Sequence, residues 1–257
     1  MTISYEYVEE IDSTNNELKR RAAEGKCQQY DVLSAGTQTG GRGRSGHTWS
    51  SPVGDSISTS MILFPKQVSP KHIPRITPMA AVAVAETIEE LCGLSAGIKW
   101  PNDVLINKKK VCGILNELIP DDEGRPDHVV VGIGVNVHIK EFDPAISDMA
   151  TSLDLEIEAL GRPANTHCGA ITVGIWEHFA KHYEAFLHTE DLSEVVSYYN
   201  DRLVNKGQQV RVLDPISPFE GEALFMDETG ALHIMTSDGE RIVDSGEVSV
   251  RGLYGYI

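Results

Sequence analysis

Positive charge is scarce in this chain: 22 basic side chains stand against 38 acidic ones over 257 residues, a formal net charge of −16. Such a field repels polyanions at long range, which argues against DNA or anionic lipid as partners and requires any phosphate to be met in a local pocket. Long apolar runs are missing too, with nothing near the roughly 20 residues that span a bilayer. The opening Met-Thr-Ile-Ser-Tyr-Glu lacks a basic stretch followed by an apolar one, so a cytoplasmic location is expected. The four cysteines, Cys27, Cys92, Cys112 and Cys168, include no Cys-x-x-Cys pair, and reduced thiols are expected. The nine histidines show no metal-ligand spacing, and no Ser/His/Asp set, internal repeat or low-complexity tract stands out. What remains is a chain with 41 % hydrophobic residues, enough for one large domain and a small one.

Ile3 to Val8 reads as a strand, and Thr14 with Glu17 reads as a capping box opening a helix that Gly25 ends. Tyr30 to Ala35 and Ile57 to Phe64 read as strands bracketing a glycine-rich loop. Met79 to Leu91, after Pro78, places Ala81, Val84, Ile88 and Leu91 on one helical face. Ile98 to Ile106, Lys110 to Ile119 and His128 to His138 read as three strands, with Asn107 and Lys108 turning between the first two. Helices are expected over Ala164 to Leu187 and Leu192 to Leu203. From residue 207 onward the texture becomes short β-like runs ending in Val248 to Arg251, with Asp238-Gly239 as a hairpin turn. The expected class is α/β (α+β), a mixed sheet with flanking helices over 1–204 and a small β-barrel over 205–257.

The most distinctive segment runs from Gln38 to Pro52, where glycines let the backbone wrap a ligand while Arg42 and Arg44 supply fixed positive charge. Gly41-x-Gly43-x-x-Gly46 formally matches the dinucleotide fingerprint, but that motif must open a helix, and Pro52 and Gly54 prevent one. The segment therefore reads as an anion cradle. A second cluster is Lys99-Trp100-Pro101-Asn102-Asp103, in which Lys99 interrupts an apolar strand. A half-buried lysine needs an anion or a route to water, and the reading favours a carboxylate or phosphate ligand. Asp103 either holds magnesium against phosphates or serves as a turn former. Lys110 begins Lys-Val-Cys-Gly-Ile-Leu, and Trp49 can offer an aromatic face to a flat ring. Asp12-Ser13-Thr14-Asn15 places short polar groups at a helix N-terminus, suited to a ureido or carbonyl ligand. Asn136 closes the run Gly132-Ile-Gly-Val-Asn, where it either bonds a ligand or finishes the strand.

Taken in order, Asp12-Ser-Thr-Asn15, Gln38 with Gly41-Arg-Gly-Arg44, Trp49-Ser-Ser-Pro52, Lys99-Trp-Pro-Asn-Asp103, Lys110-x-x-Gly113-Ile-Leu115 and Gly132-Ile-Gly-x-Asn136 resemble biotin protein ligases across nearly the whole chain. The resemblance implies a catalytic domain of the biotin/lipoate ligase type with an SH3-like C-terminal barrel. It implies the monofunctional form, without the N-terminal DNA-binding domain of bifunctional members. It also implies an ATP-dependent enzyme that activates biotin as biotinyl-5'-AMP and passes it to a lysine of a biotin carboxyl carrier protein, with Mg2+. By similarity, Ser13, Thr14, Asn15, Gln38 and the stretch Gly41, Arg42, Gly43, Arg44 hold biotin, and Lys99 reaches its carboxylate. Arg42, Arg44 and Lys110 face phosphates, Trp49 and Asn136 face the nucleotide, and Asp103 is the candidate Mg2+ ligand. Lys99, Arg42, Arg44 and Lys110 are the expected catalytic set. Ser45 and His47 stand where many bacterial members have arginines, which lowers the fixed charge on the phosphate side. No DNA or membrane partner is expected, and a homodimer is open. The alternatives are a lipoate or octanoate ligase of the same fold and a non-catalytic biotin or adenylate sensor.

Overall fold

A computed structural model describes residues 2–46, 48–49, 53–214, 216–245 and 249–252, with Ser45 and Ser249 described by backbone alone. His47 and Ser50 to Pro52 from the glycine-rich segment, and Val248, lie outside the described residues. The chain runs β1 (Ser4–Ile11), α1 (Thr14–Ala23), β2 (Asp31–Gln38), β3 (Ser56–Leu63), α2 (Ile76–Cys92), β4 (Gly97–Lys99), β5 (Asp103–Ile106), β6 (Lys109–Pro120) and β7 (Pro126–Asn136). It continues through α3 (Leu153–Ala159), α4 (Cys168–Thr189) and α5 (Val196–Arg202) to β8 (Gln209–Leu213), β9 (Phe219–Met226), β10 (Leu232–Thr236), β11 (Gly239–Val243) and β12 (Ser249–Gly252).

The first seven strands form a mixed sheet in the order β1-β2-β3-β7-β6-β5-β4. β1 and β2 are parallel, joined through α1, and every other neighbouring pair is antiparallel. Strand alternation divides the central residues between two faces. Ile57, Met61 and Leu63 of β3 and Val129, Val131, Ile133 and Val135 of β7 enter the main core with α2 and α4. Leu33, Ile62 and Val130 form a smaller cluster with Leu18 of α1 on the opposite face. Ser60, Gly132, Gly134 and Asn136 have the parity of this second face. The functional site is built there.

Several expectations need correction. The run Ile98 to Ile106 is a hairpin, β4 turning into β5 through Trp100, Pro101 and Asn102, because proline cannot continue the ladder. The cap of α1 is Ser13, in extended conformation, whose side chain accepts from the Asn16 N–H at 3.4 Å. Thr14 is instead the first helical residue, and Glu17 pairs with Arg20 and Arg21. α2 begins ahead of Pro78, which its first turn tolerates, and Leu91 is 50 % exposed rather than on the packed face. α3, capped by Ser152 on the Leu155 N–H, has no counterpart in the sequence reading.

The C-terminal strands form an antiparallel sheet in the order β11-β10-β9-β8-β12, with Val210, Val212, Ala223, Leu232 and Ile234 buried. Where a barrel is expected, β11 and β12 are the ends of this sheet, and no pairing joins them among the described residues. Trp100 ties the two sheets together: its N–H bonds Asn205 Oδ1 at 2.8 Å and its indole Nε1–H bonds Gly230 O at 3.0 Å.

Candidate active site

The polar half of the site starts at the α1 N-terminus. The Thr14 N–H donates to Gln38 Oε1 at 2.8 Å, and the Thr14 and Ser60 hydroxyls lie 2.7 Å apart. Ser60 Oγ donates to Asn15 Oδ1 at 2.6 Å, and Asn15 Nδ2 donates to Glu117 Oε2 at 2.8 Å. Glu117, with Lys19 at 2.7 Å and Arg42 at 3.5 Å, is the anionic hub. Burial pushes its carboxyl up, but the hydrogen bonds from Lys19 and Asn15 outweigh burial and hold it below the usual range. Asn15 comes this close to β7 because position 132 is glycine, where a Cβ would overlap the amide.

The loop after β2 folds back on itself. The Trp49 N–H bonds Gly41 O at 3.0 Å, and an isolated β-bridge joins Arg42 to Thr48. This lays the Trp49 indole over Gly113 of β6 and Gly134 of β7, which are directly paired across the strands, and a Cβ at Gly134 would overlap the ring. Arg42 reaches Asn16 and is about half exposed at 49 %. Arg44 lies deeper, donating to Asn102 Oδ1 at 3.2 Å and to Ser245 O at 3.0 Å, so the C-terminal segment helps to hold it. Burial lowers its pKa against the opposing charge of Asp103.

Lys110 owes its position to an irregularity in β6. Val104 pairs with Cys112 but Leu105 pairs with Lys110, so Val111 is an extra residue bulged out of the ladder. Val111 and Cys112 both enter the core, and Lys110 therefore emerges on the same face as Gly113. Its ammonium lies 2.6 Å from Asp103 Oδ1 and 5.7 Å from the centre of the Trp49 ring.

One cavity gathers Ser13, Thr14, Asn15, Gln38, Arg42, Gly43, Arg44, Trp49 and Lys110 over a floor of Gly113, Gly132 and Gly134. Four expected residues, Gly41, Lys99, Asp103 and Asn136, are not among its lining. Lys99, 6 % exposed at the end of β4, faces Asp103 across the hairpin, and burial, with Lys110 and Arg251 nearby, lowers its pKa to about 8. Asn136 donates to Thr151 O at 3.0 Å and lines an adjoining hollow shared with Trp49 and Lys110. Among the described residues no group of three His, Cys, Asp or Glu is placed to hold a metal. Asp103 is the counter-ion of Lys110, so a single carboxylate is the most the described residues offer a cation there. Sequence reasoning missed Ser60, Asn102 and Glu117. Glu117 is seven residues beyond Lys110, and the parity of Gly113 and Leu115 was the available signal.

Residues 7–136 match the family model described as Biotin/lipoate A/B protein ligase family, and residues 207–251 match Biotin protein ligase C terminal domain. The chain belongs to the biotin/lipoate A/B protein ligase family. It is 31 % identical over 247 residues to the bifunctional ligase/repressor BirA of Bacillus subtilis, covering 94 % of this chain and 72 % of that protein. A biotin–[acetyl-CoA-carboxylase] ligase of Paracoccus denitrificans is 29 % identical over 243 residues, covering 94 % and 98 % of the two chains. Among solved structures, biotin protein ligase from Aquifex aeolicus in complex with biotin and ATP superposes with a TM-score of 0.82 at 28 % identity, covering 97 % of this chain and 99 % of that one. The biotin/lipoate ligase family thus accounts for the mixed sheet, and the matched C-terminal domain for the smaller sheet.

Proposed function

We propose that this chain is an ATP-dependent biotin protein ligase that makes biotinyl-5'-AMP and transfers the biotinyl group to a lysine of a biotin carboxyl carrier protein. The observation that carries the reading is one cavity where two guanidinium groups and an ammonium meet the polar α1 N-terminus, in a molecule of net charge −16. In the first half-reaction a biotin carboxylate oxygen bonds to the α-phosphorus of ATP as the bond to pyrophosphate breaks. Two anions must approach each other, so Arg42, Arg44 and Lys110 offset their repulsion, and Lys110 meets the charge that develops at phosphorus. In the second, the carrier lysine amine attacks the acyl carbon and the bond to AMP breaks. The mixed anhydride is electrophilic enough that no dedicated base is required.

Within that reaction Ser13, Thr14, Asn15 and Gln38 take the polar ring of biotin, and Gly41 to Arg44 close over it. Lys110 rather than Lys99 meets the carboxylate and the α-phosphate, because Lys110 lines the cavity and Lys99 does not. Lys99 acts from behind, sharing Asp103 with Lys110. Trp49 and Asn136 border the hollow assigned to the nucleotide. Asp103, with the substrate phosphates, would hold Mg2+, which when bound would supply charge neutralisation at the leaving pyrophosphate. Incubation with ATP, Mg2+ and either biotin or lipoate tests the reading. Biotin-dependent pyrophosphate exchange and labelling of a carrier domain are expected. Exchange with lipoate alone, or biotin binding without exchange, would contradict it.

A further inference from the structure

Three chain segments that take no part in the biotin cavity converge beyond the other face of the sheet. His138 lies two residues past the end of β7, Asp154 in the first turn of α3, and Cys168 is the first residue of the 22-residue helix α4. Cys168 Sγ lies 3.6 Å from His138 Nε2, and His138 Nδ1 lies 2.8 Å from Asp154 Oδ2. Asp154 also accepts from the Thr166 hydroxyl. Burial pushes the Asp154 carboxyl up, but hydrogen bonds from Thr166 and His138 and the nearby Lys140 hold it below the usual range. The carboxylate accepts a hydrogen bond from His138 Nδ1–H, and in the neutral imidazole this tautomer places the Nε2 lone pair toward sulfur. The order of the groups, thiol to imidazole to carboxylate, is that of a nucleophile, a base and the group that orients the base.

The thiol opens onto a cavity of about 360 Å3. Tyr5 and Tyr7 of β1, Ala35 of β2, Ile57 of β3 and Val173 of α4 give it apolar walls, and it shares no lining residue with the biotin cavity. Gly169 and Ala170 follow in the first turn of α4, ahead of the Ile171 N–H bond to His167 O. Amides of a first helical turn have no partner within the helix, and in the scheme below that of Gly169, which lines the cleft, is the donor for the oxyanion. Glu6 lines the cleft, which disfavours a polyanionic acyl carrier such as a coenzyme A thioester and favours an uncharged acyl donor.

We propose that Cys168, His138 and Asp154 form a second site, a thiol-based acyl-transfer centre that takes neutral aliphatic esters from this cleft. Cys168 Sγ bonds to the ester carbonyl carbon as its proton passes to His138 Nε2. The carbon–oxygen bond to the alcohol then breaks, and His138 returns the proton to the departing oxygen. Water attacks the resulting thioester, the carbon–sulfur bond breaks, and the carboxylic acid leaves as sulfur regains its proton. Burial raises the pKa of Cys168, with Asp154 and Asp55 adding to the rise, so the sulfur remains a thiol until His138 takes the proton. Asp154 is a positioning residue in this scheme.

The test treats the full chain with 4-nitrophenyl butyrate, follows nitrophenol release, and maps acylated cysteines by mass spectrometry. Cys27, partly exposed with its thiol donating to Leu18 O at 3.7 Å, is the internal control. The expected result is a stoichiometric burst with Cys168 acylated about a hundredfold faster than Cys27, the gain typical of a placed general base. His138→Gln lowers the Cys168 rate by a similar factor while biotin transfer and the melting temperature stay near wild type. Acylation of Cys168 no faster than of Cys27 overturns the proposal, as does an unchanged rate in folded His138→Gln. The comparison of the two cysteines needs no substitution and decides the matter even where the variant fails to fold.

Discussion

The floor of the biotin cavity is strand and its roof is loop, and the two hold their charges differently. On the floor, Lys110 is aimed by the Val111 bulge and backed by Asp103, while paired Gly113 and Gly134 leave a flat window beneath Trp49. On the roof, Arg42 and Arg44 extend from a segment held by the Arg42–Thr48 bridge and by contacts to Asn16, Asn102 and Ser245. Main-chain pairing fixes the floor before any ligand arrives. The roof has one isolated bridge, and its two arginines rest on side-chain contacts that a carboxylate or phosphate can replace. A charge that must meet the reacting atoms belongs on the floor, and charges that must admit, grip and release substrates belong on the roof.

The largest effect that can break this comparison is at Lys110. Lys110→Ala is expected to slow adenylate formation roughly a hundredfold to a thousandfold, about 2.7 to 4 kcal/mol, in single-turnover assays. Lys99→Met, by contrast, should slow it by less than about tenfold, under about 1.4 kcal/mol. Equal losses in the two variants would erase the distinction between a lysine on the floor and one behind it.

Lys99 sharpens the comparison through pH. Its pKa falls from the ordinary 10.5 to about 8 on folding, so between these values the unfolded chain binds the extra proton. Stability contributed at this residue is therefore lowest below pH 8 and recovers as pH rises toward 10.5, by up to about 3 kcal/mol. Urea melts across that window should show wild type gaining on Lys99→Met as pH rises. A constant difference would mean that Lys99 is not buried as a cation.

The floor itself is tested by Gly134→Val, whose added side chain meets the Trp49 ring. Overpacking of this kind costs about 1 to 3 kcal/mol, and ATP binding measured by calorimetry should weaken with it. The smallest effect belongs to the roof. Arg42→Ala, at an exposed position, is expected to raise the KM for biotin or ATP less than tenfold, about 1 kcal/mol, with little change in kcat.

The same contrast explains what could be read from the sequence. Motif order located the polar α1 N-terminus, the glycine loop and the glycine-rich β7, because each is a contiguous run with a local physical reason. That Lys110 emerges beside Gly113 depends on the bulge at Val111, and no residue type there announces one: strict alternation along β6 sends Lys110 into the core. Reading Ile98 to Ile106 as one strand failed because apolar residues flank the Trp100–Pro101 turn on both sides. Glu117, Ser60 and Asn102 were missed because their roles arise from side-chain contacts between segments far apart in the sequence. His138, Asp154 and Cys168 are separated by 16 and 14 positions and meet only because the segments after β7 fold back on its end.

The most direct test of the cavity as the meeting point of carboxylate and phosphate is a crystal structure with biotinyl-5'-AMP bound. The account predicts the phosphate within hydrogen-bonding distance of Lys110 and Arg44, above Gly113 and Gly134. A phosphate seated instead on Lys99, or outside the cavity between the glycine loop and the β6–β7 floor, would contradict it.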